Sequence, residues 1–141
     1  MKKQIMAVTL TAAMLAGLAA VPVWADDAGS DEGKVLNIYC WNEEFKSRLT
    51  DHYPGYEEVD GTHGKIGDVD VVWNITPSDD NAYQNNLDET LLKQADAAAD
   101  DKIDLFLVEA DYALKYVNTD YTMSVADLGI TDDEIADQYQ Y

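Results

Sequence analysis

The stretch Lys34-Val-Leu-Asn-Ile-Tyr-Cys-Trp41 decides the fold that we expect for this chain. It is β-branched, aromatic and almost continuously apolar, a pattern that is typical of a strand buried on both faces, as in a parallel sheet. The chain's one cysteine, Cys40, falls within it. We therefore expect a central strand in which Cys40 is a buried and unreactive thiol.

The residues that follow this strand predict a helix. Asn42 can cap its start, and the next two residues are acidic, which the dipole of a helix favours in its first turn. Apolar side chains then recur every four residues, as expected of a stripe that faces the sheet: Phe45, Leu49 and Tyr53. Pro54-Gly55 ends the helix.

The pattern of a strand followed by a helix recurs twice more. Strands are expected over residues 68–75 and 103–108, with a Gly-rich loop over residues 56–67. The helix between these strands starts at Ser78 or Asp79 and has an apolar face made by Tyr83, Leu87, Leu91 and Ala95. A short helix is expected over residues 111–117, and a last acidic helix over residues 132–138, capped by Thr131 with Glu134 at the capping-box spacing.

This order of elements, βαβαβα, predicts an α/β fold with a doubly wound, mostly parallel sheet over residues 34–141. The residues before it have the three parts of a secretory signal peptide: a basic start, an apolar run, and small residues before Asp26. A membrane-spanning helix is the alternative reading of the apolar run. We expect a cleaved signal over residues 1–25, an acidic flexible leader over residues 26–33, and an exported protein that is extracellular, at the cell surface or periplasmic.

The charge balance excludes two classes of partner. The chain carries 28 Asp and Glu against 9 Lys and Arg, a formal net charge of −19. Binding to nucleic acid requires clustered Lys and Arg that displace counterions from phosphates, and anionic membrane surfaces recruit basic segments. We therefore expect neither nucleic acid nor an anionic membrane surface as a partner.

Two clusters of residues are placed where an α/β sheet binds its ligands, outside the carboxyl ends of the strands. They combine aromatic rings with carboxylates and one amide: Trp41, Asn42 and Glu43 in the first cluster, and Glu109, Asp111 and Tyr112 in the second. Carboxylates and amides exchange hydrogen bonds with hydroxyl groups, and an aromatic face covers the C–H face of a sugar ring. Because neither cluster contains Lys or Arg, the pattern favours a neutral, polyhydroxylated ligand over an anion.

Two other interpretations use the same acidic residues. Glu43 with Glu109 or Asp111 could serve as the general acid and nucleophile of a small secreted glycosidase. The chain could also be a non-catalytic acidic surface protein that binds cations weakly. His52 and His63 are expected to be exposed and form no recognisable metal set, and no cofactor is implied. We expect a binding protein without catalytic residues.

Three stretches carry a resemblance to a known family: residues 34–45, 81–89 and 103–116, the last ending in Asp-Leu-Phe-Leu-Val-Glu-Ala-Asp-Tyr-Ala-Leu-Lys-Tyr116. Together with the leader, they resemble the extracellular solute-binding protein of a carbohydrate ABC transporter, a periplasmic-binding-protein-like family of type II. The resemblance implies a receptor that closes two lobes on a sugar or oligosaccharide and delivers it to a membrane permease. Its ligand contacts would map onto the six residues of the two clusters. Family members are longer, so the chain is expected to be an amino-terminal fragment with part of the first lobe.

Overall fold

A five-stranded sheet in the order β2-β3-β4-β1-β5 organises the fold. The structure is a computed structural model that describes residues 33–117 and 119–138, all within one compact unit, Asp31–Tyr141. The predicted signal peptide, residues 1–25, lies outside the described residues, as does the predicted leader apart from Gly33. The strands are β1 Val35–Cys40, β2 Tyr56–Glu58, β3 His63–Ile66, β4 Val69–Ile75 and β5 Leu105–Phe106.

The helices of the described residues are shorter than the sequence predicts. The α-helices are α1 Glu44–His52 and α2 Ala82–Leu91. Short 3-10 turns make up the rest: Asp79–Asn81, Gln94–Asp96, Ala99–Asp101, Ala113–Lys115 and Val125–Leu128.

The sheet is mixed in direction. Strand β1 runs parallel to β4 along its whole length, from Val35 opposite Asp70 to Cys40 opposite Ile75. It also runs parallel to β5, but over two residue pairs only. On the other side of β4, strands β2 and β3 form an antiparallel hairpin, and β3 pairs antiparallel with β4.

The prediction of a doubly wound, mostly parallel sheet, as in the first lobe of a two-lobed periplasmic-binding-protein-like fold, is therefore wrong. Half of the strand pairings are antiparallel, because the segment predicted as a loop over residues 56–67 folds into a hairpin. A hairpin closes over a short stretch of chain, so it forms at low entropic cost next to β4. In addition, the two helices predicted over residues 111–117 and 132–138 do not form as α-helices.

The two α-helices cover opposite faces of the sheet, as the alternation of side chains along a strand requires. One face packs α2 against the sheet around a buried cluster of Tyr83, Leu87, Leu91, Ile103 and Tyr116. The other face packs α1, through Phe45 and Leu49, against a buried cluster of Ile38, Cys40, Val71 and Trp73. Cys40 is fully buried, as predicted, and burial raises the pKa of its thiol.

Strand β5, predicted over residues 103–108, is short because side chains form the hydrogen bonds that a longer strand pairing would use. The amide and carbonyl of Ile103 bond the side chain of Gln94, at 2.9 and 2.8 Å. The side-chain amide of Asn37 in β1 donates to the carbonyls of Asp100 and Lys102, at 2.8 and 2.9 Å. Residues 103–108 therefore contribute only Leu105–Phe106 to the sheet.

The predicted helix over residues 111–117 stops at Tyr116 for a local reason. The carbonyl of Tyr116 accepts from the hydroxyl groups of Thr119, at 2.5 Å, and Thr122, at 3.2 Å. These side-chain bonds compete with continuation of the helix. The Tyr116 hydroxyl in turn donates to Asp88 of α2 at 2.9 Å, which holds the turn against the core. At residue 134 one of the two capping-box bonds forms, because the Thr131 amide donates to the Glu134 carboxylate. The Glu134 amide bonds the Thr131 backbone carbonyl instead of its side chain, and turns follow in place of a helix.

Candidate functional site

The two predicted clusters follow neighbouring parallel strands, so both begin at the same edge of the sheet. Trp41 comes directly after β1, and Glu109 follows the end of β5 by three residues. The pairing of these strands continues past β5, because the Leu107 amide donates to the Tyr39 carbonyl at 3.0 Å. Both clusters therefore begin at the carboxyl ends of strands, as predicted, and the structure shows that these two strands are adjacent.

Tyr83 of α2 holds the backbone at the carboxyl end of β1, directly before Trp41. Its hydroxyl group shares its one proton between two carbonyl oxygens, those of Leu107, at 2.7 Å, and Tyr39, at 3.0 Å. Burial raises the pKa of Tyr83 well above its ordinary value, so the hydroxyl stays protonated and keeps donating. The Trp41 ring packs edge-on against Tyr83, with ring centroids 5.5 Å apart. Helix α2 thus bridges β1 and β5 and supports Trp41 from one side.

Asn42 is not the N-cap of α1 that the sequence predicts, because the helix begins at Glu44 and Glu43 occupies the cap position without a side-chain cap bond. The side-chain oxygen of Asn42 nevertheless accepts from the Glu44 amide at 2.9 Å. This bond satisfies one of the amides that a helix leaves unpaired at its start. It also orients the exposed Asn42 side chain, whose amide nitrogen takes no part in the bond. Asn42 is therefore held by its oxygen and can donate from its nitrogen.

A hollow of about 220 Å³ lies beside these two residues. It is lined by Trp41, Asn42, Glu44, Phe45, Arg48 and Leu107. Arg48 stands one turn beyond Glu44 on α1, and their side chains approach to 3.6 Å. Neither predicted cluster contained a cation, so Arg48 is a residue that the sequence reasoning missed. The four-residue spacing of Glu44 and Arg48 on a helix was the signal that could have found it.

Glu43 belongs to a different hollow. That hollow, of about 150 Å³, is lined by Glu43, Lys46, Ser47, Thr50 and Glu58. Lys46 is buried there, and its amine donates to Glu58 at 3.0 Å and to the Gly61 carbonyl at 2.7 Å. Glu58 lines this hollow with Glu43, whereas Glu109 and Asp111, the partners of Glu43 in the glycosidase interpretation, do not line it.

The second cluster packs on the α2 side of the sheet. The Tyr112 ring lies against the core cluster that contains Tyr83 and meets the Tyr116 ring edge-on at 6.3 Å. Glu109 and Asp111 are exposed, and the Glu109 carbonyl accepts from the Tyr112 amide at 3.2 Å. Burial, with the charges of these two carboxylates, raises the pKa of Tyr112. Trp41 and Tyr112 thus share one core cluster, but Glu109, Asp111 and Tyr112 do not line the hollow beside Trp41.

The hollow offers groups for apolar contact and for hydrogen bonding. Two aromatic rings and one aliphatic side chain supply apolar surface, and an amide, a carboxylate and a guanidinium supply donors and acceptors. His52 and His63 are exposed, as predicted, and His63 bonds Asp60. Across residues 33–117 and 119–138, no group of three or more His, Cys, Asp or Glu is placed to hold a metal ion.

Comparison of the chain with protein-family models, curated proteins and solved structures found no match. Within the part of the chain that the structure describes, no helix has both the length and the apolar character needed to cross a membrane.

Proposed function

We propose that this protein is the exported carbohydrate-binding component of an ABC importer, and that it holds its sugar beside Trp41 without breaking a bond. The observation that carries the proposal is the hollow that joins Trp41 to Asn42, Glu44 and Arg48. Its membrane permease would be the partner that receives the sugar.

The chemistry of the hollow supports a sugar. The half-buried Trp41 ring and the Leu107 side chain offer apolar surface to the C–H face of a sugar ring. The Asn42 nitrogen and Arg48 donate to hydroxyl oxygens, and the Glu44 carboxylate accepts from hydroxyl groups. Neighbouring donors and acceptors suit a hydroxyl group, because a hydroxyl group both donates and accepts hydrogen bonds.

The charge of the molecule supports a neutral sugar. Arg48 is the cation of the hollow, and Glu44 stands 3.6 Å from it, so the pair offers little net charge to an anion. The formal net charge of −19 adds long-range repulsion of anionic ligands.

Export and the importer role are supported by the sequence. The predicted signal peptide over residues 1–25 favours export. The resemblance of residues 34–45, 81–89 and 103–116 to carbohydrate solute-binding proteins favours a receptor that serves a permease. The geometry of the hollow supports the binding step of this role.

Calorimetric titration of the full chain with a panel of neutral sugars tests the binding step, and Asn42→Asp tests the site. This variant keeps a side-chain oxygen for the Glu44 amide but loses the donating nitrogen. We expect the dissociation constant to rise roughly tenfold, the cost of one hydrogen bond to the ligand. The thermal unfolding midpoint should stay unchanged, since Asp keeps the oxygen that accepts from the Glu44 amide.

The control is Asn85→Asp, which adds the same charge at an exposed position of α2. It should leave sugar affinity unchanged. Absence of heat with every sugar, together with a clear signal for peptides or metal ions, would contradict the proposal. Turnover of chromogenic glycosides would instead support the glycosidase interpretation.

A further inference from the structure

Another hollow lies where residues 119–121 meet the segment that follows α2. Its volume is about 570 Å³, and it is lined by Gln94, Ala95, Thr119, Asp120 and Tyr121. Among the described residues, it shares none of its lining with the hollow beside Trp41. Small-molecule sites in proteins have volumes of about 300–1,000 Å³, so this hollow is large enough to hold a ligand of its own.

Side-chain hydrogen bonds hold the walls of this hollow. Gln94 bonds the amide and the carbonyl of Ile103 through both ends of its side-chain amide. The Thr119 hydroxyl group donates to the Tyr116 carbonyl at 2.5 Å, and its oxygen accepts from the Tyr121 amide at 3.2 Å. Thr119 therefore fixes the turn that positions Tyr121.

The same bonds leave the hollow richer in acceptors than in donors. The single hydroxyl proton of Thr119 is bonded to a backbone carbonyl, as is one of the two protons on the Gln94 amide nitrogen. The exposed Asp120 side chain contributes two carboxylate oxygens, which accept and do not donate. A ligand that donates hydrogen bonds is therefore favoured over one that accepts them.

Charge favours a cation in this hollow. Asp120 is the charged side chain of the lining, and none of the ion pairs within the described residues involves it. Lys115 lines a neighbouring hollow, where it is paired with Asp88. Residues 119–138 carry several carboxylates and no Lys or Arg, and the formal net charge of the chain is −19. Both the local carboxylate and the surrounding field thus attract positive charge.

Tyr121 makes an organic cation a better match than a metal ion. The residue is 42% exposed and lines the hollow. An aromatic face attracts a cation within about 6 Å of its centre and also packs against hydrocarbon. A metal ion would need several oxygen or nitrogen ligands, and residues 33–117 and 119–138 contain no group of three or more His, Cys, Asp or Glu that could hold one.

We propose that this hollow binds a small organic ammonium ion with an apolar body. Its ammonium group donates to the Asp120 carboxylate, and its hydrocarbon part packs against Tyr121. A primary ammonium group brings three N–H donors and one positive charge, which are the two properties that the lining lacks. The inference does not depend on the proposed carbohydrate function, because the two sites have different lining residues.

Backbone amide NMR of the full chain, titrated with phenethylammonium, tests this inference. A salt concentration of about 150 mM screens the long-range field, so that local contacts dominate. We expect the shifted amides to cluster at residues 94–95 and 119–121. 2-Phenylethanol, in which a neutral hydroxyl group replaces the ammonium group, should bind at least about tenfold more weakly, because it cannot form a charge-assisted bond to Asp120.

Substitutions separate the two contacts. Asp120→Asn should weaken phenethylammonium binding by roughly tenfold, because the charge is lost while the size of the side chain is kept. Tyr121→Ala should weaken it by roughly two- to fivefold, and Tyr121→Phe, which keeps the ring, should leave it unchanged. Circular dichroism should report the native spectrum for each variant.

The matched control is Asp127→Asn, which removes the same charge from an exposed position of the 3-10 turn Val125–Leu128. It should leave the affinity for phenethylammonium unchanged. Equal affinity for phenethylammonium and 2-phenylethanol, equal losses in Asp120→Asn and Asp127→Asn, or shifts confined to other parts of the chain would overturn the inference. Tighter binding of Nα-acetyl-lysine amide than of phenethylammonium would also overturn it, and would assign the hollow to a lysine side chain of a partner protein.

Discussion

Asp60 organises the turn that joins β2 to β3. Its Oδ1 atom accepts from the backbone amides of Thr62, at 2.8 Å, and His63, at 2.9 Å, and lies 2.9 Å from the His63 ring nitrogen Nδ1. These bonds, led by the Thr62 amide, favour the charged carboxylate and lower the pKa of Asp60 to about 2, from an ordinary value of 3.8. The hydrogen bonds of this turn therefore depend on the ionisation of Asp60, and so on pH.

The sign of the pH dependence follows from the lowered pKa. Ionised Asp60 stabilises the fold above the unfolded-state pKa, and this stabilisation is lost as the pH falls from about 3.8 to about 2. Asp60→Asn keeps an acceptor oxygen but removes the charge. We expect it to lower the free energy of unfolding at neutral pH and to match the wild type near pH 2, as measured by urea denaturation across this range.

The control for this measurement is Asp51→Asn, which neutralises an exposed carboxylate on α1. It should leave the pH dependence of stability as it is in the wild type. A difference between Asp60→Asn and the wild type that is the same at every pH would contradict the role assigned to the charge.

The hairpin of β2 and β3 depends on a glycine at which a side chain has no room. A Cβ atom at Gly64 would come within 2.2 Å of the Tyr56 hydroxyl oxygen, because the Tyr56 ring lies across this position. The ring cannot swing away cheaply, since its hydroxyl accepts from the Trp73 indole nitrogen at 3.0 Å. Gly64 thus lets Tyr56 close over the hairpin and reach the core on the α1 side.

We expect Gly64→Ala to destabilise the protein by about 1–3 kcal/mol, the usual cost of forcing an extra methyl group into a packed site. The matched control is Gly61→Ala in the neighbouring loop, where an added Cβ meets nothing within 4 Å. Its effect should stay within about 0.5 kcal/mol. Urea denaturation monitored by tryptophan fluorescence measures both. Equal effects of the two substitutions would contradict the packing of Tyr56 over Gly64.

Elements with a strong local pattern could be predicted, and elements fixed by distant contacts could not. The apolar run that became β1 and the face of Tyr83, Leu87 and Leu91 in α2 are found as predicted. The hairpin was missed because its strands are polar and Gly-rich, and pairing with β4 stabilises them. The helix predicted around Tyr116 failed because the Thr119 and Thr122 hydroxyl groups bond the Tyr116 carbonyl, and Leu114 is left 85% exposed.

The candidate site could be predicted only where a local sequence pattern determines the position of a residue. The position of Trp41 and Asn42 follows from the end of β1, which the local pattern identifies. Arg48 and Leu107 come to the hollow because Leu107, just after β5, packs against the same buried cluster as Phe45 and Leu49 of α1, which the sequence does not reveal. Glu43 was placed with Trp41 because they are close in sequence, but the turn of α1 directs it to another hollow.

At the scale of the whole molecule, four elements of the fold surround the candidate site. Strands β1 and β5 end side by side, Tyr83 of α2 bridges them from one face, and α1 lies along the other. The prediction of a doubly wound sheet was wrong because the alternation of strands and helices along the sequence does not determine the direction in which strands pair. Strand β4 pairs antiparallel with β3 of the local hairpin, so the sheet is mixed.

Backbone amide NMR of the full chain, titrated with the neutral sugar that binds most tightly, tests most directly that a sugar lies beside Trp41. The account predicts that the shifted amides cluster at residues 41–48 and at Leu107, and that Asn42→Asp raises the sugar concentration needed to produce every one of these shifts. Shifts confined to other parts of the chain, or no shifts with any neutral sugar, would contradict it.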